Sequence, residues 1–146
     1  MRKSGIIKLS LVVLTLAFLF TSTKDVVLAS NDNHSWAFSI QPKHYNNFSD
    51  SRYRQTSSKE NPWKVKLNSS GEGKGTITTF WLGSYFPEES TYARASVTRN
   101  VYQGRDATYT AAYWSANKKN VALGAENNNY STNSYWASGI WDEETW

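Results

Sequence analysis

The chain has 146 residues, no cysteine and a formal net charge of +4, from 16 Lys+Arg against 12 Asp+Glu. That length suits one domain, and the missing thiols exclude disulfides, zinc–thiolate sites and a cysteine nucleophile. Arg2, Lys3, Lys8 and Lys24 lie in the first 29 residues and the remainder is close to neutral, so no cationic cluster invites nucleic acid.

Residues 1–29 read as a secretory signal peptide. Arg2, Lys3 and Lys8 give a cationic start, Leu9–Phe20 is an uncharged run, and Val27-Leu28-Ala29 offers small or modest residues at a cleavage site. As a helix the run is roughly 18 Å long, short of the ~30 Å hydrocarbon core. The expectation is cleavage after Ala29 and a secreted chain from Ser30 with no stable membrane insertion. The intact mass of the culture-supernatant protein checks this; a cell-bound form retaining residues 1–29 would favour an anchored protein.

Beyond residue 29 the chain holds all 7 Trp and all 9 Tyr but little Leu or Ile, and Asn, Ser and Thr abound. Aromatic, β-branched and turn-forming residues predict an all-β fold with a core of rings. Residues 30–61 read as an irregular segment with one edge strand on Trp36, Phe38 and Ile40. Residues 62–146 read as an antiparallel β domain. Trp63, Val65 and Leu67 alternate with Lys64 and Lys66, the glycine-rich Ser69–Gly75 turns, and Thr76–Leu82 resumes, which predicts a hairpin with a mobile tip. Tyr92–Tyr102, Ala107–Trp114, Val121–Ala125 and Tyr135–Trp141 follow as strands, with an Asn-rich loop over 126–134. The expected architecture is a single antiparallel β-sandwich or small barrel after a signal-peptide helix. Trp63, Trp81, Tyr109 and Tyr113 are expected inside.

Chemistry-bearing motifs are sparse. Ser70–Thr76 resembles a phosphate loop only faintly, because a strand follows it and the Gly-Lys spacing is wrong. Glu126 with Asn127, Asn128 and Asn129, together with Asp142-Glu143-Glu144, offers calcium-type oxygens but no D-x-D-x-D-G loop, so a solvated loop and tail are expected, without metal or cofactor. A glycosidase needs two carboxyls flanking a groove, and a triad needs a positioned imidazole. Only His34 and His44 could supply one, and both are read as surface residues. Exposed rings can stack on sugars or sit at lipid headgroups. Trp136, Trp141 and Trp146 are the candidates for exposure. Trp136, Trp141 and the loop Glu126, Asn127, Asn128 and Asn129 form the candidate binding set.

Pro62-Trp63-Lys64-Val65, Ser70–Thr76, Phe80-Trp81-Leu82, Ala125–Asn129 and Ser138–Thr145 together resemble a family of small secreted Gram-positive proteins known only as a domain of unknown function. That resemblance implies no activity. Ala93–Trp114 resembles, over a shorter stretch, the paired C-terminal strands of lactococcin-972-type bacteriocins, which implies a cysteine-free β-sandwich acting on the cell envelope and carries over no residue role. The functional expectation is a secreted non-enzymatic protein, with a bacteriocin-like or cell-envelope-binding effector as its sharpest form and an envelope component as partner. The alternatives are an extracellular structural or matrix protein and a small glycan or peptide hydrolase.

Overall fold

The computed structural model describes residues 31–57 and 61–145. The expected signal peptide and Trp146 lie outside the described residues. Ten strands follow in order: β1 His34–Ile40, β2 Asn47–Phe48, β3 Arg52–Arg54, β4 Trp63–Ser70, β5 Ile77–Phe86, β6 Thr91–Arg94, β7 Arg99–Tyr102, β8 Thr108–Thr110, β9 Lys119–Asn127 and β10 Tyr135–Asp142. Among the described residues one 3-10 turn occurs, Trp114–Ala116. The fold is all-β, as the composition predicts.

Two antiparallel sheets enclose one core. The first has the order β1-β10-β4-β8; the second runs β2-β9-β5-β6, with β3 also on β9 and β7 also on β5. Trp36, Trp63, Trp141 and Leu67 from the first sheet meet Phe80, Leu82, Val101 and Leu123 from the second. Large rings fill the space that few Leu and Ile could not, and Trp36 meets Phe80 edge-on at 5.3 Å. The Tyr135 hydroxyl and Thr78 Oγ1, 2.8 Å apart, bridge the sheets through the core. On the side where β8 and the 3-10 turn meet the second sheet, Ala95, Ala112 and Ala116 are buried. Small side chains allow the chain to curl there from one sheet toward the other, and the Tyr113 N–H donates to the Ala95 carbonyl at 2.7 Å.

The second sheet is also covered on its outer face. Trp81 alternates with Phe80 and Leu82 and so points away from the core, yet it is only 1% exposed. Phe48 packs against its ring, the Arg94 guanidinium lies 4.8 Å above it, and Gly124 on the facing strand leaves room for the indole.

Several expectations change. β4 and β5 do not pair: the Ser70–Thr76 segment carries the chain from one sheet to the other, so the predicted hairpin is a crossover. Its main chain is tied down, with Gly71 N–H on the Trp136 carbonyl at 2.8 Å and Gly73 N–H on the Ser70 carbonyl at 3.1 Å. Gly73 and Gly75 have φ of 89° and 88°, a conformation that costs a side chain dearly. Tyr109 and Tyr113 are exposed rather than buried. β8 takes its phase from β4: Thr110 and Thr108 lie opposite the inward Trp63 and Val65, which leaves Tyr109 outside, opposite Lys64. Trp141 is buried at 2% exposure, because it pairs with Val65 and shares the inward face of β10 with Tyr135 and Ala137. The stretch before Pro62 adds β2 and β3 to the expected edge strand, and both dock on β9. β1 does sit at a sheet edge, paired only with β10.

Candidate functional site

The residues singled out by sequence fall on three separate parts of the molecule. Trp136 stands on the outer face of β10 and is 60% exposed. Its neighbour across the ladder on β1 is Ser39, and on the other side the Gly71 N–H bonds to its carbonyl. The next outward residue on β10, Ser138, pairs with Ala37 and Ser69. The indole therefore stands on a platform of Ser, Ala and Gly, with no bulky cross-strand neighbour to cover it. Leaving such a ring in water forgoes about 2–3 kcal/mol of burial.

Glu126 lies on the outer face of the other sheet. Its Oε1 is 3.5 Å from Arg94 Nη2 and 3.8 Å from His44 Nδ1. The His44 ring meets Tyr130 at 4.4 Å. His44 is held there by an unusual loop: Lys43 and His44 have φ of 56° and 60°, and Lys43 N–H bonds to the Ser131 carbonyl.

Asn127 is fully buried and ends the β9 ladder opposite Thr78. Its Oδ1 accepts from Asn129 N–H at 3.3 Å, and Asn129 Oδ1 accepts from Ser131 N–H at 2.8 Å. The asparagine run thus builds its own turn, the physical use that short amide side chains have in loops. Asn128 and Asn129 share an open depression with Glu72, Lys74, Gly75 and Thr76.

The acidic tail is buried where solvent was expected. Asp142 is 0% and Glu144 2% exposed. Lys64 Nζ faces Asp142 at 3.6 Å. Glu143 sits between Arg52 and His34 at 3.5 and 3.6 Å. The Glu144 carboxylate accepts from the main-chain N–H groups of Gln55 and Thr56 at 3.0 and 2.7 Å. The fully buried Arg54 donates to the Glu143 carbonyl, and to the Asn61 carbonyl at 2.5 Å. Burial pushes the Asp142 and Glu143 carboxyls above their usual range. Burial, with the Arg52 cation, holds His34 below its usual value. Sequence reasoning missed this cluster because its basic partners lie far upstream. Among the described residues, no group of three His, Asp or Glu is arranged to hold a metal ion.

The fold and these surfaces define a two-sheet antiparallel β protein with an aromatic core, a second aromatic cluster around Trp81 on the outer face of one sheet, and an exposed indole, Trp136, on the outer face of the other. The chain belongs to the family described as "Protein of unknown function (DUF2712)", whose model matches residues 24–145. It matches no curated protein and no solved structure. No helix among the described residues is long and apolar enough to cross a membrane.

Proposed function

We propose that this is a non-catalytic binding protein that acts outside the cell on a glycan-bearing component of a bacterial envelope, through the face around Trp136. The observation that carries the reading is the exposed indole on a platform of Ser, Ala and Gly near the start of β10, an inner strand of its sheet. A pyranose ring stacks on such a surface, and flanking hydroxyls of Ser39 and Ser138 can bond to sugar hydroxyls. Binding is favoured over hydrolysis because the most enclosed carboxylates are committed elsewhere: Glu126, Asp142 and Glu143 in ion pairs and Glu144 on main-chain amides. The Glu126 site, with Arg94, His44 and Tyr130, is a second polar surface for the same class of ligand. A bacteriocin-like action on growing Gram-positive cells is the sharpest form of this reading.

Co-sedimentation with purified cell walls tests it. Trp136→Ala is expected to weaken binding about tenfold, the worth of one stacked ring. Its melting temperature should stay unchanged, since the side chain packs on nothing large. Binding should survive moderate salt, unlike a polyelectrolyte contact. Equal retention of the variant and the native protein on walls would exclude this face.

A further inference from the structure

Lys64 and Asp142 stand opposite each other on neighbouring antiparallel strands, β4 and β10. Both belong to the outward phase of their strands, because Trp63, Val65 and Trp141 hold the inward one. Both are nevertheless almost closed off from water, Lys64 at 6% and Asp142 at 0% exposure. Among the described residues the Lys64 ammonium has one ionic partner, Asp142 Oδ2 at 3.6 Å. Enclosing two ions is costly, and only excellent geometry repays it. This contact is longer than a charge-assisted hydrogen bond, and the buried Oδ2 has no hydrogen-bond partner. As an ion pair the arrangement is a poor one.

As a pair of reactants it is better placed. The two carboxyl oxygens have different surroundings. Oδ1 accepts from the Glu144 N–H at 3.2 Å, while Oδ2 is the oxygen turned to the lysine. Burial pushes the Asp142 carboxyl above its usual range even with the Lys64 cation beside it. Transfer of one proton within the pair turns two enclosed ions into an amine and a carboxylic acid. Those are the neutral forms that a site shielded from water favours. Holding them in contact makes their reaction a unimolecular step.

We propose that Lys64 and Asp142 condense to an isopeptide bond that joins β4 to β10 covalently. The lone pair of the uncharged Lys64 Nζ attacks Asp142 Cγ, and the C=O π electrons move onto Oδ1. The Glu144 N–H already on that oxygen is placed to hold the oxyanion. Collapse of the tetrahedral centre expels Oδ2 as water, which carries off the acid proton and one proton from the nitrogen. One C–N bond forms, one C–O bond breaks, and nothing is oxidised or reduced. In water hydrolysis wins because its products ionise; here ionisation is what burial penalises, and the amide leaves no charge to enclose. A chain without cysteine gains in this way a cross-link that restricts its unfolded state as a disulfide would. Titration of Asp142 belongs to the unbonded protein; once the bond has formed, Glu143 is the raised carboxyl of the tail that still titrates.

The test is an intact mass and a tryptic map of the purified full chain, taken once its mass is constant. The mass should be lower by one water than the sequence requires. Trypsin does not cut after an acylated lysine, so cleavage after Lys64 should be lost. Residues 60–66 should then appear joined to residues 120–146, with fragment spectra placing the link at Lys64 and Asp142. Lys64→Arg keeps the positive charge beside Asp142 but has no primary amine to acylate. That variant is expected at its full mass, with residues 120–146 as a linear peptide. Full mass of the native protein with cleavage after Lys64 would overturn the proposal. So would a missing water with the two peptides unjoined, or the same missing water in Lys64→Arg, either of which would place the dehydration elsewhere.

Discussion

Trp81→Ala is expected to lower stability by about 3–5 kcal/mol, the cost of deleting a large buried ring. At roughly 4 °C per kcal/mol for a domain of this size, the melting temperature should fall by about 12–20 °C. The indole lies outside the main core, but Phe48, Gly124 and the Arg94 guanidinium enclose it. Removing it opens a cavity and leaves the Arg94–Glu126 pair without its floor. Gly124→Ala attacks the same contact from the other side. A Cβ there would lie 2.4 Å from Trp81 Cε2 and 2.5 Å from Nε1, so the ring must shift, at about 1–3 kcal/mol. The double variant should cost less than the sum of the two, because the added methyl occupies part of the space the ring vacated. Calorimetric melting of the three proteins checks this. A native melting curve for Trp81→Ala, or strict additivity, would show that the ring is not held as described.

Alternation made much of the fold legible. Trp63, Val65 and Leu67 lie inside because every second residue of β4 is apolar and Lys64 and Lys66 separate them. The same rule misled where both phases of a strand carry rings. In Tyr135–Trp141, Tyr135 and Trp141 share one phase and Trp136 holds the other; only the pairing of Trp141 with Val65 shows which is inside. Glycine-rich Ser70–Gly75 announced a turn, but turn chemistry is local and says nothing about which sheet the next strand joins. The Asn127–Asn129 run read as a binding loop because amide side chains suit ligands, and they suit turns equally well. The sequence reading expects both Trp136 and Trp141 outside, and only Trp136 is. The platform under Trp136 was not legible, since Ser39 and Gly71 come from distant parts of the chain.

Arg54→Ala should cost about 3–5 kcal/mol, the range for breaking a buried ionic cluster by removing one partner. The Arg54 guanidinium is fully buried and joins β3 to the last residues of the chain through the Glu143 carbonyl, 89 positions away in sequence. Burial pulls it below its ordinary value, and the carboxylates of Glu144, Glu143 and Asp142 oppose that shift. Without the cation those carboxylates remain enclosed beside one another. Arg54→Lys should recover only part of the loss, because a point ammonium cannot reach two carbonyls in the fixed geometry of the guanidinium. The dependence on pH gives the mechanism its own signature. Asp142 and Glu143 have raised values in the folded protein, so each holds its proton more tightly folded than unfolded. Their ionised forms oppose folding above that raised value, and the opposition fades as pH falls through it toward the unfolded range. Loss of Arg54 removes a favourable charge and raises both carboxyls further. The stability gap between native and variant protein should therefore be widest where both carboxyls are ionised and narrow as pH falls through their raised values, where protonation replaces the missing cation. Denaturant titrations at neutral and at acidic pH measure it. A gap of constant size would assign the loss to the hydrogen bonds of the guanidinium and remove the acidic tail from the account.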